Sequence, residues 1–451
     1  MKIIFLILLI SSFSIFSEQR KIEIIDIENN SKTIDIDMIK SIDFDLENAY
    51  YLKSVDSDGI IKKFELTSNS SIKFENDNLI LTTNDIDESI ALSNLDKIIF
   101  EKKESDNPVP FGELIVDEVL LNNLINPWSL DFIDEDNIIF NEIDGRLFVF
   151  NIITKVRTQI EGVPQVTRTG QGGLLDVTLH PNFNENKLVY LAYAVSVNSP
   201  NTTAIGRGKL EGDKLVDFEE LFRGDPLVAS GVHFGCRIVF DNNNKLYFAI
   251  GDRGNSANAQ DSTNHYGSVL RINDDGTIPN DNPYLDKPGA KKELYTMGNR
   301  NIQGMFYVTE IDQVWSVEHG PRGGDELNIV KPGANYAWPL ATYGINYDGS
   351  KITDETSLPG YEDPITYWVP SIAPCGMDVV SYDAETNELD VVIGALAGAH
   401  IHRLKIRDEK VIDVVRSLEG YGRFRDIQLS PDGYLYAVTQ SPGTLIRLKT
   451  K

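Results

Sequence analysis

One of six histidines and one of two cysteines in this 451-residue chain share the heptapeptide GVHFGCR, Gly231 to Arg237. His233 within it is a candidate general base, metal ligand or satisfied core histidine, and its spacing to other residues does not choose among these. Other stretches are too polar and too rich in glycine to be plain strand connections. TGQGGLLDV sets Gln171 ahead of an apolar run, GNRNIQG clusters Arg300, Asn301 and Gln303, and EHGPRGGDELN carries Gly320, Pro321, Arg322, Asp325 and Glu326. In GRFRD, Arg423 and Arg425 alternate, so both project to one side of an extended segment. A planar guanidinium matches a carboxylate through two parallel N–H bonds, so arginines gathered at one mouth predict an anionic ligand. Each stretch also has a purely structural interpretation, because Arg–Asp pairs lock loops and glycines make turns.

The residues available for metal binding point away from transition metals. There is no pair of histidines one helical turn apart and no Cys-x-x-Cys. The two histidines of HIH, His400 and His402, fall on one face of a strand-like run, where they suit a core edge. A hard cation such as Ca²⁺, held by carbonyl and carboxylate oxygens, fits the composition better. INDDGTIPNDNP (Ile272 to Pro283) lacks the spacing of an EF-hand and is expected to be an ordered surface loop. No G-x-S-x-G elbow or phosphate-cradling glycine loop occurs.

The elements that must position these residues are short strands. From Gly112 on, alternating apolar runs end in turns rich in Asn, Asp and Gly, as in RIVFDNNNKLYFAIGD and RDIQLSPDGYLYAVTQSPGTLIRLK. About six such units recur at irregular spacings of roughly 45 to 75 residues, which predicts an all-β fold, a six-bladed β-propeller. Long amphipathic helices are nearly absent, which excludes Rossmann and TIM-barrel folds. The irregular spacing predicts long insertions on one face, where binding residues gather.

Residues 1–17 carry a lysine, an apolar run from Ile3 to Phe16 and then small polar residues, the pattern of a secretory signal peptide. That run is shorter than the roughly 20 residues of a membrane-spanning helix. No cysteine follows it to accept a lipid, and no later segment is apolar enough to span a bilayer. Residues 18–103, rich in Ile, Asp, Asn and Ser, predict a small β-rich module, and 104–111 a linker to the propeller at 112–451. The module holds a weak echo, IDIDMIKSIDF against IALSNLDKIIF. A net charge of −26 argues against nucleic acid and anionic membrane surfaces as partners and suits a soluble, exported monomer. Nothing in the sequence brings Cys236 and Cys375 within the ~7 Å between Cα atoms that a disulfide requires, so pairing stays open.

The blocks GQGGLLDVTLHPNF, HFGCRIVF, GTIPNDNP, GNRNIQG, EHGPRGGDELNI, NYAWPLATYGINY and RDIQLSPDGYLYAVT resemble the soluble PQQ-dependent sugar dehydrogenases, and within them the bacterial aldose sugar dehydrogenase branch. The resemblance runs from about Glu113 to Lys451 and leaves out the N-terminal module. It implies a six-bladed propeller that binds pyrroloquinoline quinone (PQQ) with Ca²⁺ in a funnel on one face. It further implies oxidation of an aldose to its lactone, an external electron acceptor, and a periplasmic or secreted location in a bacterium. On this resemblance His233 is the catalytic base, while Gln171, Arg300 and Asn301 contact the quinone. Tyr347, Arg423 and Arg425 are further quinone contacts. The carbonyls of Gly320 and Pro321 hold the calcium at the quinone, and Glu326 and Tyr336 are ligands of a second, structural calcium. The residue types suit the chemistry. A neutral imidazole, with an ordinary pKa of about 6.5, can take the anomeric proton as hydride leaves C1. Arg300 and calcium can stabilise negative charge growing on the quinone oxygen.

Four positions depart from the family pattern. Ala397 stands where a quinone-contacting lysine is frequent, and Val232 replaces an Asp or Asn that can help hold the sugar. Cys236 stands at a usual glycine and Cys375 at a frequent serine. These bear on cofactor affinity and sugar choice more than on the fold. Two other functions compete with a PQQ-dependent aldose dehydrogenase. One is a non-enzymatic propeller that binds carbohydrate or protein through the same face. The other is a Ca²⁺-dependent hydrolase, which the Arg, Gln and His of the funnel disfavour because such a site needs several carboxylates around one metal.

Overall fold

Successive side chains of a strand point to opposite faces, so a strand covered on both sides requires an unbroken apolar run. Strand Asn137–Glu142 illustrates this. Ile138 and Phe140 pack with Tyr436, Val438 and Leu445, whereas Ile139 packs with Val177, Leu179 and Leu191. Strand Lys245–Ile250 behaves alike, with Leu246, Phe248 and Ile250 in one cluster and Tyr247 and Ala249 in the next. Each such strand is the middle of a sheet sandwiched between two others.

The computed structural model describes residues 109–196 and 200–451, together with the backbone of strands between residues 10 and 102. Residues 127–450 form six antiparallel sheets. Blade 1 spans residues 127–160, blade 2 174–223, blade 3 238–273, blade 4 302–368, blade 5 374–417 and blade 6 423–450. Blade 3 has three strands and the others four. The fourth strand of blade 6, Leu114–Leu121, comes from the start of this unit and pairs with Thr444–Thr450, which ties the two ends of the ring together. The first strands of consecutive blades touch in a closed circuit, from Pro127–Phe132 through Leu174–Leu179, Ile238–Phe240, Ile302–Val308 and Pro374–Asp383 to Arg423–Leu429 and back. The six-bladed propeller expected from the repeating units is therefore the observed fold. The one α-helical turn among the described residues of this unit is Phe183–Asn186.

Carboxylates on the first strands stitch this circuit. Asp131 accepts from the Leu179 N–H at 2.7 Å, Asp176 from Ile238 at 2.7 Å, Asp378 from Leu429 at 2.7 Å and Asp426 from Leu130 at 3.0 Å. In each pair the acceptor and the donor lie on neighbouring blades. Arg237 joins two of these acids, with Nη1 at 2.8 Å from Asp176 and 3.0 Å from Asp426. Burial pushes Asp131 up to about 6, and Asp176 and Asp378 up to about 7.

The chain divides into two units, Met1–Asn107 and Pro108–Lys451. The first holds a six-stranded sheet ordered Ser31–Asp35, Lys21–Asp26, Ile10–Phe16, Leu95–Lys102, Tyr50–Asp56, Ile61–Leu66. Its second sheet is ordered Ser41–Asp43, Ser71–Glu75, Asn78–Thr82, Asp87–Ala91. Of the expected signal peptide, residues 10–16 form a strand and 1–9 and 17 lie outside the described residues. Of the expected linker, Val109 is buried, and the carbonyls of Val109 and Pro110 accept from Arg403.

Candidate active site

Gln171, His233, and the Arg300–Asn301 pair each precede the first strand of a blade, so the ring carries them to one face. They line a cavity of about 390 Å³, within the range of small-molecule sites. Gly320, Pro321 and Tyr347, from the insertions of blade 4, line the same cavity, as do His319, Arg322 and Ala397. A second cavity, of about 260 Å³, lies at the opposite ends of the same strands beside Asp131, Asp176, Asp378 and Arg237. It contains none of the residues singled out for chemistry.

His233 sits in left-handed backbone, with φ +53°. Its N–H donates to Gln171 Oε1 at 2.8 Å, and the Gln171 N–H donates to the Gly231 carbonyl at 2.8 Å. Gly170 makes this approach possible, since at φ +53° a Cβ there would meet the Gly231 oxygen at 2.1 Å. His233 Nδ1 is 2.5 Å from Asp252 Oδ1. A carboxylate only accepts, so Nδ1 carries the proton and Nε2 presents its lone pair. Asp252 also takes the Gly254 N–H at 2.7 Å and the Trp338 indole at 2.9 Å. Burial alone would raise Asp252, but these donors, His233 foremost, outweigh it and hold the carboxyl below its ordinary value.

The other histidine of the cavity is unlike it. His319 is pushed down to about 3 by burial and by the charges of Arg425 and Arg300, and its Nε2 donates to the Pro374 carbonyl at 2.8 Å. It is a neutral donor and a weak base. His233 alone of the two has a carboxylate partner.

Arg300 Nη1 donates to the carbonyls of His319 at 2.8 Å and Gly320 at 3.0 Å, and its N–H reaches Glu318 Oε2 at 2.5 Å. Asn301 Oδ1 accepts from the Gly235 N–H at 3.3 Å, tying the His233 loop to blade 4. The two arginines of GRFRD separate. Arg425 is buried beneath the cavity, against Gln303 Oε1 at 3.0 Å and Cys375 Sγ at 3.2 Å, with its guanidinium over Trp128. Arg423 is exposed at the edge, bonded to the Leu396 carbonyl at 3.1 Å and Gln440 at 3.1 Å. Neither lines the cavity. A register irregularity on either side of Phe424 separates them from ideal alternation.

Glu326 and Tyr336 lie away from the cavity. Glu326 is the register partner of Glu318 on the neighbouring strand, and Asn328 Nδ2 reaches Glu326 at 3.3 Å and Glu318 at 3.4 Å. Burial and then the Glu318 charge push Glu326 well up, and the Asn328 oxygen is buried without a partner. Two crowded carboxylates beside an orphaned oxygen fit a hard cation. The Tyr336 hydroxyl donates to the Ile329 carbonyl and accepts from the Lys331 N–H. At the cavity no described N–H donates to the Pro321 carbonyl, an oxygen that likewise suits Ca²⁺. No three His, Cys, Asp or Glu side chains converge on one point among the described residues. Both cysteines are buried and free, and His400 and His402 are buried against each other, with Nε2 to Nδ1 at 3.4 Å.

Residues 124–447 match the family model for glucose/sorbosone dehydrogenases. The chain belongs to that family of oxidoreductases. It is 38% identical over 343 residues to the aldose sugar dehydrogenase YliI of Escherichia coli, an alignment covering 74% of this chain and 92% of the relative. The crystal structure of the soluble aldose sugar dehydrogenase of E. coli in its apo form is 36% identical, with TM-score 0.70, covering 75% of this chain and all of the other. The PQQ-bound aldose sugar dehydrogenase of Streptomyces coelicolor is 27% identical, with TM-score 0.62, covering 75% and 98%.

Within this family member, Asp252, Trp338 and His319 carry no signal in the sequence that marks them as site residues. Asp252 follows the strand of LYFAIGDRG, where a Gly-Asp turn is an ordinary strand ending.

Proposed function

We propose that this protein oxidises the C1 hydroxyl of an aldose to the lactone, with PQQ and Ca²⁺ in the cavity and His233 as general base. The observation that carries this is the His233–Asp252 pair beside Arg300 in one cavity. Nδ1 of His233 is held by Asp252, so Nε2 takes the anomeric proton, and the carboxylate stabilises the imidazolium that forms. The bound quinone supplies the acceptor for the hydride that leaves C1. Arg300 brings positive charge to the wall where negative charge develops, and it fixes the His319 and Gly320 carbonyls beside Pro321.

Gln171, Asn301 and Tyr347 would contact the quinone, with Gly320 and Pro321 carbonyls holding its calcium. Glu326, with Glu318 and the Tyr336 segment, would hold the second calcium. Arg425 would act from beneath. Arg423, bonded to the carbonyl next to Ala397, would keep a cation near the edge where the family resemblance places a frequent lysine. Electrons would pass to an external acceptor, and the leader expected at residues 1–17 would place this chemistry in the periplasm or outside the cell.

The test is reconstitution with PQQ and Ca²⁺, followed by dye reduction across a panel of aldoses. Retained quinone absorbance and turnover are expected. Neither absorbance nor turnover on any sugar would leave the non-enzymatic binding propeller as the better account.

A further inference from the structure

Three residues in and beside the base loop, His233, Gly235 and Cys236, have positive φ, at +53°, +68° and +94°. For His233 and Cys236 this is backbone that side chains rarely adopt, so neighbouring groups must enforce it. At His233 Arg253 meets that need. It is 3% exposed and follows Asp252 directly. Its Nη1 donates to the Val232 carbonyl, and its Nη2 to the Ser230 carbonyl at 3.0 Å and Asn201 Oδ1 at 2.6 Å. The guanidinium lies 3.6 Å from the centre of the Phe234 ring. One planar group therefore grips the residues on both sides of His233.

We propose that Arg253 is the positioning residue that fixes the backbone turn of the base, while Asp252 fixes its ring. The proposal rests on His233 being the base. Arg253 donates its hydrogen bonds to neutral oxygens, and burial holds its guanidinium down to about 10. A buried cation without a carboxylate of its own is a poor stabiliser, since desolvation is not offset by an ion pair. Its fork geometry is what serves here, because two carbonyls two residues apart and a ring face can be held together by no smaller donor. The neighbouring Asp252 carboxylate is committed to His233, Gly254 and Trp338.

The experiment compares Arg253→Met and Arg253→Lys with the parent. In the cofactor-free protein, imidazole ¹⁵N–¹H NMR follows the His233 Nδ1 proton in its bond to Asp252. In the PQQ- and Ca²⁺-loaded protein, kcat, sugar KM and quinone retention are measured. The Met variant is expected to lose or broaden the His233 Nδ1 resonance and to lower kcat about 10- to 100-fold, with KM and quinone retention unchanged within about threefold. The Lys variant, able to reach one carbonyl, should fall between Met and parent. If the Met variant does not fold, the Lys variant decides by the same readouts. An unchanged Nδ1 resonance with kcat within twofold of parent overturns the proposal. Because the NMR arm needs no cofactor, it still judges the clamp if no sugar is turned over at all, a failure that would count against the function instead.

Discussion

Replacing Asp252 by Asn removes one negative charge and leaves the shape of the side chain nearly intact. The outcome can be worked from the donors around it. Asp252 Oδ1 takes His233 Nδ1–H at 2.5 Å and the Gly254 N–H at 2.7 Å, and Oδ2 takes the Trp338 indole at 2.9 Å. An amide offers one acceptor and one donor end. With its oxygen toward His233, the NH₂ opposes the Trp338 N–H, and a neutral acceptor replaces a charged one beneath the forming imidazolium. A charge-assisted hydrogen bond exceeds a neutral one by about 1–2 kcal/mol, so this orientation alone costs roughly tenfold in rate. With its NH₂ toward His233, the Gly254 N–H loses its partner and the ring proton must move to Nε2, which abolishes the base. The same carboxylate-to-amide change in a Ser-His-Asp triad lowers kcat by about 10⁴ for that reason. Between these limits kcat should fall about 10- to 10⁴-fold. Asp252 is 1% exposed and does not line the cavity, so sugar KM and quinone retention should stay within about threefold. Steady-state dye reduction on the PQQ- and Ca²⁺-loaded variant is the assay. A kcat within threefold of parent, or a loss confined to KM, would refute the dyad.

His233→Ala should abolish turnover while leaving the quinone absorbance largely retained; a variant that keeps near-parental kcat would displace His233 as the base. Arg237→Met leaves Asp176 and Asp426 buried without their shared cation, a change of about 3–5 kcal/mol, and should lower the urea midpoint sharply; an unchanged midpoint would mean that the Asp–Arg–Asp bridge is not a lock of the ring. Asp378 is raised to about 7, chiefly by burial, so its folded form keeps its proton more tightly than the unfolded chain. Its contribution is therefore fully present below about pH 4 and is lost as pH rises through about 7, up to about 4 kcal/mol for a three-unit difference. Asp378→Asn should remove that slope from denaturation midpoints measured between pH 4.5 and 8, and a slope identical to the parent's would refute the assignment.

The fold is legible because a propeller blade repeats one demand. Each sheet is covered on both faces, so runs such as NIIFNE and KLYFAI are apolar at consecutive positions, and each return needs an Asn, Asp or Gly turn. Six repetitions make that pattern hard to mistake. Legibility fails at blade edges and insertions. The fourth strand of blade 6 comes from Leu114–Leu121, more than 300 residues away, and nothing local to either segment announces the pairing. The GRFRD arginines fail for a smaller reason, since a register irregularity at Phe424 breaks the alternation on which their common side depends.

The site divides along the same line. Gln171, His233, Arg300 and Asn301 stand out as polar residues at blade entrances, positions that the repeat itself defines. Asp252 and Arg253 stand at the far end of a strand inside blade 3, where Gly-Asp-Arg-Gly is indistinguishable from any turn. What gives them meaning is that the second strand of an antiparallel blade returns to the face where the first began. The 19 residues from His233 to Asp252 run down one strand and back up the next, through the pairing of Ile238 with Phe248. A base on the entrance loop thus meets whatever follows the second strand. The same geometry brings Arg300, at the entrance of the next blade, against that turn, since the Asp252 N–H donates to the Arg300 carbonyl at 2.8 Å. In blade 3, then, the residues that act together come from the entrance loop and from the turn after the second strand, and only the first is visible before the strands are paired.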